Sequence, residues 1–453
     1  MRRFGLALLV ATSLLLAGVA SGATRPRYGG TLRVAMRAAP TSLDPLDSSQ
    51  PDSLARRNLS RLIFDTLVVL DEHGNPQPAL AISWQAEPGN QRWQFHVRRG
   101  ARFHDGTAVT ADAVAASLRV ANPKWKVFSA GEAVVIECES PAPRLPAELA
   151  LAHNGIAKRD GSKLTGSGAF SIARWDPGKN LTLTARDDYW GGRPFLDSIE
   201  IEMGKNFREQ MISLDLGRTD LIEVAPEQAR RAATEGRRVE SSSPAELMAL
   251  IFANDRPSPD NLRLREALRL SIDRASLSNV LLQSGADPSG GLLPNWMTGY
   301  GFLFPTDADL SRARQASREI HQTSPWTVYY DAADSTARVV AERIALNAHD
   351  TGIALQPTNS TNADLRLVRV SLASVDGRTA LANLAGALGL PQPTFTGDST
   401  HDLYVAESAL LQTHQVVPLL YIRSAFGMGG TVRNWHTDRE GDWKLQEVWL
   451  GAG

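Results

Sequence analysis

The stretch Trp93-Gln94-Phe95-His96-Val97-Arg98-Arg99-Gly100-Ala101-Arg102-Phe103-His104-Asp105-Gly106-Thr107-Ala108-Val109-Thr110-Ala111-Asp112-Ala113-Val114 sets a strand, a turn and a helix start end to end. Trp93, Phe95 and Val97 alternate with Gln94, His96 and Arg98, the two-residue period of a half-buried strand. His104-Asp105-Gly106 reads as a turn held by polar side chains. Thr110 follows as the cap of a helix whose Val114 and Leu118 share one face. Trp84, Trp93 and Phe103 are expected to fill a core rather than to meet a ligand.

The same two signals recur outward from this stretch. Leu32, Val34 and Met36 alternate after Gly29-Gly30, and Ile199, Ile201 and Met203 alternate with Glu200 and Glu202. Phe170–Ile172 and Leu181–Leu183 flank Asp176-Pro177-Gly178, the chemistry of a hairpin turn. Later, Ser258-Pro259-Asp260 starts a helix that puts Leu264, Leu268 and Ile272 on one side. Val328-Tyr329-Tyr330, a helix over Ser335–His349 and Ile353-Ala354-Leu355 form a strand–helix–strand unit, the ingredient of a parallel α/β lobe. Ser371–Thr400 is weakly patterned, with Leu390-Pro391-Gln392-Pro393 as a surface loop.

Length and composition bound the class. The 453 residues exceed one hydrophobic core and imply two or three domains, and 43% hydrophobic residues suffice for globular packing. With 48 basic against 49 acidic residues, the chain lacks the excess expected of a nucleic-acid binder. Arg2 and Arg3 precede an apolar run from Phe4 to Ala20, and Ser21 and Ala23 stand at the −3 and −1 positions of a cleavage site. That order is a secretory signal peptide over residues 1–23. Val19 stands where a lipidated cysteine would, so a free periplasmic protein is expected. The single cysteine, Cys138, alternates with Val134 and Ile136 and is expected to face a core.

Catalytic patterns fail one by one. Gly166-Ser167-Gly168 lacks the lysine of a phosphate-binding loop and the spacing of a nucleophile elbow. No His-Glu-x-x-His pair occurs, and the histidines are scattered singly. No enzyme activity, cofactor or metal site is expected.

Several local motifs together are diagnostic. They are Gly29-Gly30-Thr31-Leu32, Ser42-Leu43-Asp44-Pro45, Pro78-Ala79-Leu80-Ala81 with Ser83-Trp84, and the Phe95–Val114 composite. Gly166-Ser167-Gly168-Ala169-Phe170, Tyr189-Trp190-Gly191-Gly192 and Leu216-Gly217-Arg218-Thr219-Asp220 continue the series, as do Phe252-x-Asn254, Ile272-Asp273-Arg274 and Leu403-Tyr404-x-Ala406-Glu407. From Tyr28 onward the chain thereby resembles the family 5 extracellular solute-binding proteins, the peptide- and nickel-binding receptors of ABC importers. Two departures stand out: a short Leu118–Ala133 stretch, and no aromatic-Asp segment beside an Asp-Pro pair, where the family's peptide receptors meet a ligand amine. Asp364 and Asp376 are the nearby acids.

The resemblance implies an α/β, two-lobed periplasmic binding protein (Venus-flytrap) fold with two interlobe crossings. Lobe I is expected over 24–254 plus 427–453, with a small subdomain around 65–165, and lobe II over 255–426. The crossings are expected near Asn254–Pro259 and Gly427–Arg433. The implied function is periplasmic capture of a peptide-like solute for an ABC permease, by a monomer that binds no nucleic acid. A receptor for a nickel chelate or small sugar-like solute, and a degenerate scaffold or chaperone, are the alternatives. Candidate ligand contacts are Thr41, Ser42 and Leu43 after the first strand, Asn295 and Trp296 in a Gly- and Pro-rich loop, and Asp376 for a ligand amine.

Overall fold

The computed structural model of the chain describes residues 25–452 other than 48, 50–52, 162, 254–261, 320, 321 and 323. The residues read as a signal peptide, Asn254, and Ser258-Pro259-Asp260, read as a helix start, lie outside the described residues. No helix among the described residues is long and apolar enough to cross a membrane.

Strand β1 (Thr31–Ala35) buries Leu32 and Val34, with Met36 beyond it, as its alternation requires. Helix α1 (Leu54–Ile63) begins at Ser53, whose side chain accepts from the Arg56 amide. The small unit follows: β2 (Ala81–Ala86), β3 (Arg92–Val97), α2 (Ala111–Ala121), β4 (Lys126–Ala130) and β5 (Ala133–Glu137). Its antiparallel sheet runs β2-β3-β5-β4, around a core that includes Trp93, Phe95, Phe103, Val114 and Leu118. Thr110 caps α2 by accepting from the Ala113 amide. Asp105 holds the preceding turn, accepting from the Thr107 amide at 3.0 Å and from Lys158 Nζ at 2.7 Å. His104 Nε2 lies 3.2 Å from the Gly168 carbonyl, and burial lowers its pKa to about 4. The ring is therefore neutral and structural. Cys138 follows β5 and packs against the same core, where burial pushes its thiol up.

Two family-like motifs join this unit to the larger sheet. A Cβ on Gly166 would sit 2.0 Å from the Ile63 carbonyl oxygen, so only glycine lets the loop lie against the end of α1. Tyr189 Oη and Trp190 Nε1 donate to Asp65 at 2.8 and 2.9 Å, and burial pushes that carboxyl up to about 6.

The chain continues through β6 (Phe170–Asp176), β7 (Asn180–Ala185), β8 (Ser198–Glu202), β9 (Leu221–Val224) and the 15-residue β10 (Arg238–Phe252). After α3 (Leu262–Ser271) and the short α4 (Asn295–Thr298) come β11 (Trp326–Tyr329), α5 (Ser335–His349), β12 (Leu355–Thr358) and β13 (Leu365–Ser371). Helices α6 (Gly377–Ala387) and α7 (Thr400–Leu411) precede β14 (Val416–Met428). The main sheet runs β6-β7-β8-β1-β9-β14-β10-β13-β11-β12. Strands β11 and β12 pair in parallel around α5, the expected strand–helix–strand unit.

Strands β10 and β14 belong to both lobes. Ala425–Met428 of β14 pairs with β9 on one side and with the first residues of β10 on the other. Further along β10, Glu246–Phe252 pairs with β13. Between the two ends the β10–β14 register shifts on both sides of Pro244, which has no amide hydrogen for the ladder. The change of partner thus falls within the strands, around Ser242–Ala245 and Arg423–Ser424. Long strands serve both lobes without a loop.

Helix α6 corrects the reading of Ser371–Thr400 as weakly patterned chain. It buries Ala380, Leu381, Leu384 and Ala385. Small alanines and a glycine flatten its hydrophobic contrast, and Asp376-Gly377, which looks like a turn, is its cap. Leu390 is buried, while Pro391 and Gln392 are exposed as expected of a loop.

Candidate functional site

One sheet face explains where a ligand cavity lies. On β10 and β13, Leu250, Met248, Leu365 and Leu367 point into the apolar core of lobe II. The register sets Met248 opposite Arg369 and Glu246 opposite Ser371. The two-residue period therefore carries the same face out of the core as Glu246, Arg369 and Ser371. These residues form the wall of a cavity of about 620 Å³, within the ~300–1,000 Å³ typical of small-molecule sites. Lobe I supplies the opposite wall from Arg37–Pro40, the start of α1, and the aromatic pair Phe426 and Trp443. Those rings pack edge to face at 6.2 Å, with Trp435 against both, so the aromatic wall is held by its own core. A second cavity of about 720 Å³ shares Arg56 and lies between Leu46, Leu151 and His153 on one side and Asn383 and Gly386 of α6 on the other.

Most charges around the first cavity have partners from the chain. Asp334 caps α5, accepting from the Thr336 and Ala337 amides at 3.0 and 3.2 Å. It also meets Arg369 Nε at 3.2 Å and, across the cleft, Arg37 Nη1 at 3.9 Å. Arg56 donates to the Asp44 carbonyl at 2.5 Å. Glu223 is raised by burial and accepts from the Arg37 amide at 2.6 Å and from Gln210 at 3.4 Å. Asp331 accepts from the Ala333 amide at 2.9 Å. Among the described residues the Glu246 carboxylate accepts from the Ser371 hydroxyl alone, at 3.4 Å.

A different arrangement holds the crossing itself. Leu372 donates its amide to the Ala245 carbonyl at 2.7 Å, and Arg57 of α1 donates to the Leu372 carbonyl at 2.6 Å. The same guanidinium reaches Asp442 Oδ1 and the Glu440 carbonyl, each at 2.6 Å, and Arg61 pairs with the other oxygen of Asp442. Glu440 accepts from the Val375 amide at 2.8 Å. Burial, with the Asp442 and Asp438 charges, pushes Glu440 up to about 7. Against the same burial, Arg57 and Arg61 hold Asp442 down at about 2. Asp438, Glu440 and Asp442 come close enough to share a cation. Arg57, Arg61 and Lys444 already neutralise two of the three, with Lys444 Nζ at 2.6 Å from Asp438.

None of the residues expected from sequence is among the lining residues of either cavity. Pro40 lines the first cavity, but the chain then turns away: Leu43 is buried in the lobe I core, and the Ser42 hydroxyl accepts from the Asp44 amide at 3.2 Å. Thr41 lies against the hairpin turn near Gly178. Asn295 Oδ1 accepts from the Gly301 amide at 2.9 Å. Trp296 packs on a lobe II core, donates to the Pro244 carbonyl at 3.1 Å and lies under the Arg439 guanidinium, 5.5 Å from its ring centre. Its loop is pinned by the buried Glu407 of α7, which accepts from the Leu293 amide and Tyr300 Oη at 3.0 and 2.8 Å. Asp376 caps α6 through the Thr379 amide at 2.9 Å and pairs with Arg144 of the small unit at 3.3 Å. Sequence reasoning missed Arg37, Glu246 and Arg369. The legible signal was Glu246 and Arg369 interrupting apolar runs, at Ala245–Phe252 and Leu365–Ser371.

Comparison with known proteins agrees with this architecture. A glutathione-binding protein, GsiB, of Pectobacterium atrosepticum is 26% identical over 355 residues, covering 72% of this chain and 68% of the relative. A probable D,D-dipeptide-binding periplasmic protein, DdpA, of Escherichia coli is 25% identical over 249 residues, covering 49% of this chain. The chain spans about half of that relative's length, 48%. The structure of DppA from Helicobacter pylori, an ABC transporter-associated periplasmic binding protein in complex with peptide STSA, superposes with a TM-score of 0.80 at 18% identity, over 94% of this chain and 99% of that one. The fold is the two-lobed periplasmic binding protein fold. The family description "Bacterial extracellular solute-binding proteins, family 5 Middle" matches residues 75–395, and the chain belongs to the bacterial extracellular solute-binding proteins of family 5.

Proposed function

We propose that the protein is the substrate-binding component of an ABC importer, holding a peptide-like solute between its lobes and presenting it to a permease. The observation that carries this reading is the cavity whose walls come from both lobes beside the strands that join them. A solute touching both walls binds the closed form better than the open one, and that difference in affinity drives closure. The permease then reads the closed shape. The peptide-like class is supported by the glutathione- and dipeptide-binding relatives. The reading includes cleavage after Ala23, a lipid-free periplasmic monomer, and no catalysis. It divides the lobes at the two long strands, with the small unit attached to lobe I.

Mass spectrometry of solute retained by gently purified protein, followed by calorimetry with that solute, tests the proposal. One bound small molecule per chain, displaced by excess peptide, is expected. Protein that retains nothing and gives no heat with peptide mixtures would overturn it.

A further inference from the structure

We infer that Arg37 of lobe I and Asp334 of lobe II form a latch that draws the lobes together across the cavity before a solute arrives. The inference rests on the binding reading above and adds a control on its closure step. Asp334 is fixed in lobe II. Its Oδ1 accepts from the Thr336 and Ala337 amides at the start of α5, and its Oδ2 lies 3.2 Å from Arg369 Nε. Arg37 is anchored in lobe I by its main chain: its amide donates to Glu223 at 2.6 Å, and the Glu223 amide donates to Gln210 at 2.8 Å. The Arg37 guanidinium spans the gap, 5.2 Å from the centre of the Phe207 ring in lobe I and 3.9 Å from Asp334 Oδ1. The first distance is that of a cation–π contact. The second is about an ångström longer than a charge-assisted hydrogen bond.

The same end of α5 meets lobe I a second time, and there the approach is complete. Thr336 Oγ1 donates to Glu227 of the helix Pro226–Thr234 at 3.2 Å. That helix start lies against the crossing: a Cβ on Gly285 would sit 2.8 Å from the Pro226 carbonyl oxygen, and the Gly285 carbonyl accepts from the Arg423 amide at 3.1 Å. A small further rotation about the crossing therefore carries Asp334 onto Arg37. Opening strands neither charge, because Arg37 keeps the Phe207 ring and Asp334 keeps the α5 amides and Arg369. Closing adds one charge-assisted bond that only the closed form makes, which is the differential interaction a change of population requires. Arg37 and Asp334 both line the cavity, so the same bond completes its wall.

Single-molecule energy transfer on solute-stripped protein tests the latch, with dyes on Leu216→Cys and Leu346→Cys, exposed positions one on each lobe, in a Cys138→Ser background. The otherwise unsubstituted protein is compared with Arg37→Gln, Arg37→Lys, Asp334→Asn and the Arg37→Gln/Asp334→Asn pair, each checked for folding by thermal unfolding. Asparagine keeps the α5 cap while removing the charge. The unsubstituted protein is expected to show a minor compact population of about 10% of molecules. Arg37→Gln and Asp334→Asn should each reduce it by about three- to fivefold, the range of a partly exposed ion pair, and the double variant should reduce it no further. Arg37→Lys, which keeps the charge, should retain part of it. The inference is overturned if Arg37→Gln leaves the compact population unchanged, if the two single losses multiply in the double variant, or if the unsubstituted protein has no such population. Compaction by the co-purified solute in any of those cases would leave the binding reading standing, whereas a working latch in a protein that retains no solute would remove the binding reading alone.

Discussion

Two ends of the interlobe region treat buried charge in opposite ways. At the crossing, Arg57, Asp442, Arg61 and Glu440 complete one another and bond to the Leu372 and Val375 backbone. A few residues along the same sheet, Glu246 faces a cavity with one long hydrogen bond. The first arrangement pairs its charges within the chain and fastens α1 to the strand ends. The second leaves a carboxyl group on the cavity wall. Charge alone identifies neither site; the difference is whether the chain supplies the partner.

The contrast breaks most visibly at Arg57. Removing it leaves buried Asp442 with Arg61 as its one close guanidinium, beside Glu440, and leaves the Leu372 and Glu440 carbonyls without their donor, so Arg57→Met is expected to cost about 3–5 kcal/mol in urea unfolding. A loss below 1 kcal/mol would mean that the network is not what fastens the crossing. Trp296→Ala removes a partly buried ring and its bond to Pro244, and should lower stability by about 2 kcal/mol with ligand affinity unchanged. Weakened binding in a variant of unchanged stability would instead move Trp296 into the site.

The pH response separates the two ends next. Glu440 stays protonated in the folded chain up to about 7, whereas an exposed glutamate ionises near ~4.3. Between those values the folded chain holds the extra proton, so Glu440 makes stability fall as pH rises through that window. The Asp442 contribution has the opposite sign: it is present above the ordinary aspartate range and lost as pH falls towards about 2. Glu440→Gln should therefore gain stability relative to wild type as pH rises from 5 towards 7, measured by urea unfolding at each pH. Parallel pH profiles for the two proteins would show that Glu440 is not held protonated.

The smallest effect is expected at Asp376→Asn. Asparagine caps α6 nearly as well, and Arg144 is 43% exposed, so the lost pair should cost about 0.5 kcal/mol and leave binding of the co-purified solute unchanged. A tenfold loss of affinity would instead place Asp376 in the binding site.

Much of the fold was legible because local rules and tertiary needs agree in it. The Phe95–Val114 stretch forms the strand, Asp105-held turn and Thr110-capped helix that its alternation and caps require. The Asp176-Pro177-Gly178 hairpin and the β11–α5–β12 unit follow the same logic. Helix α6 was hidden because alanine and glycine carry little amphipathic contrast. Strands β10 and β14 pair along both halves of the main sheet, and no loop in the sequence marks where the change of partner falls.

The site was harder to see for a physical reason. Ser42 and Trp296 have ligand-binding chemistry, but each spends it on its own backbone: Ser42 on Asp44, Trp296 on Pro244. Glu246 looks like a polar interruption in a strand, and only the β10–β13 register reveals that its face has left the core.

The most direct test is small-angle X-ray scattering on protein stripped of its co-purified solute and then saturated with it. Closure of both walls around the cavity is expected to reduce the radius of gyration on saturation. An unchanged radius, with binding confirmed by calorimetry on the same sample, would place the solute on one lobe and contradict the cleft as the site of capture.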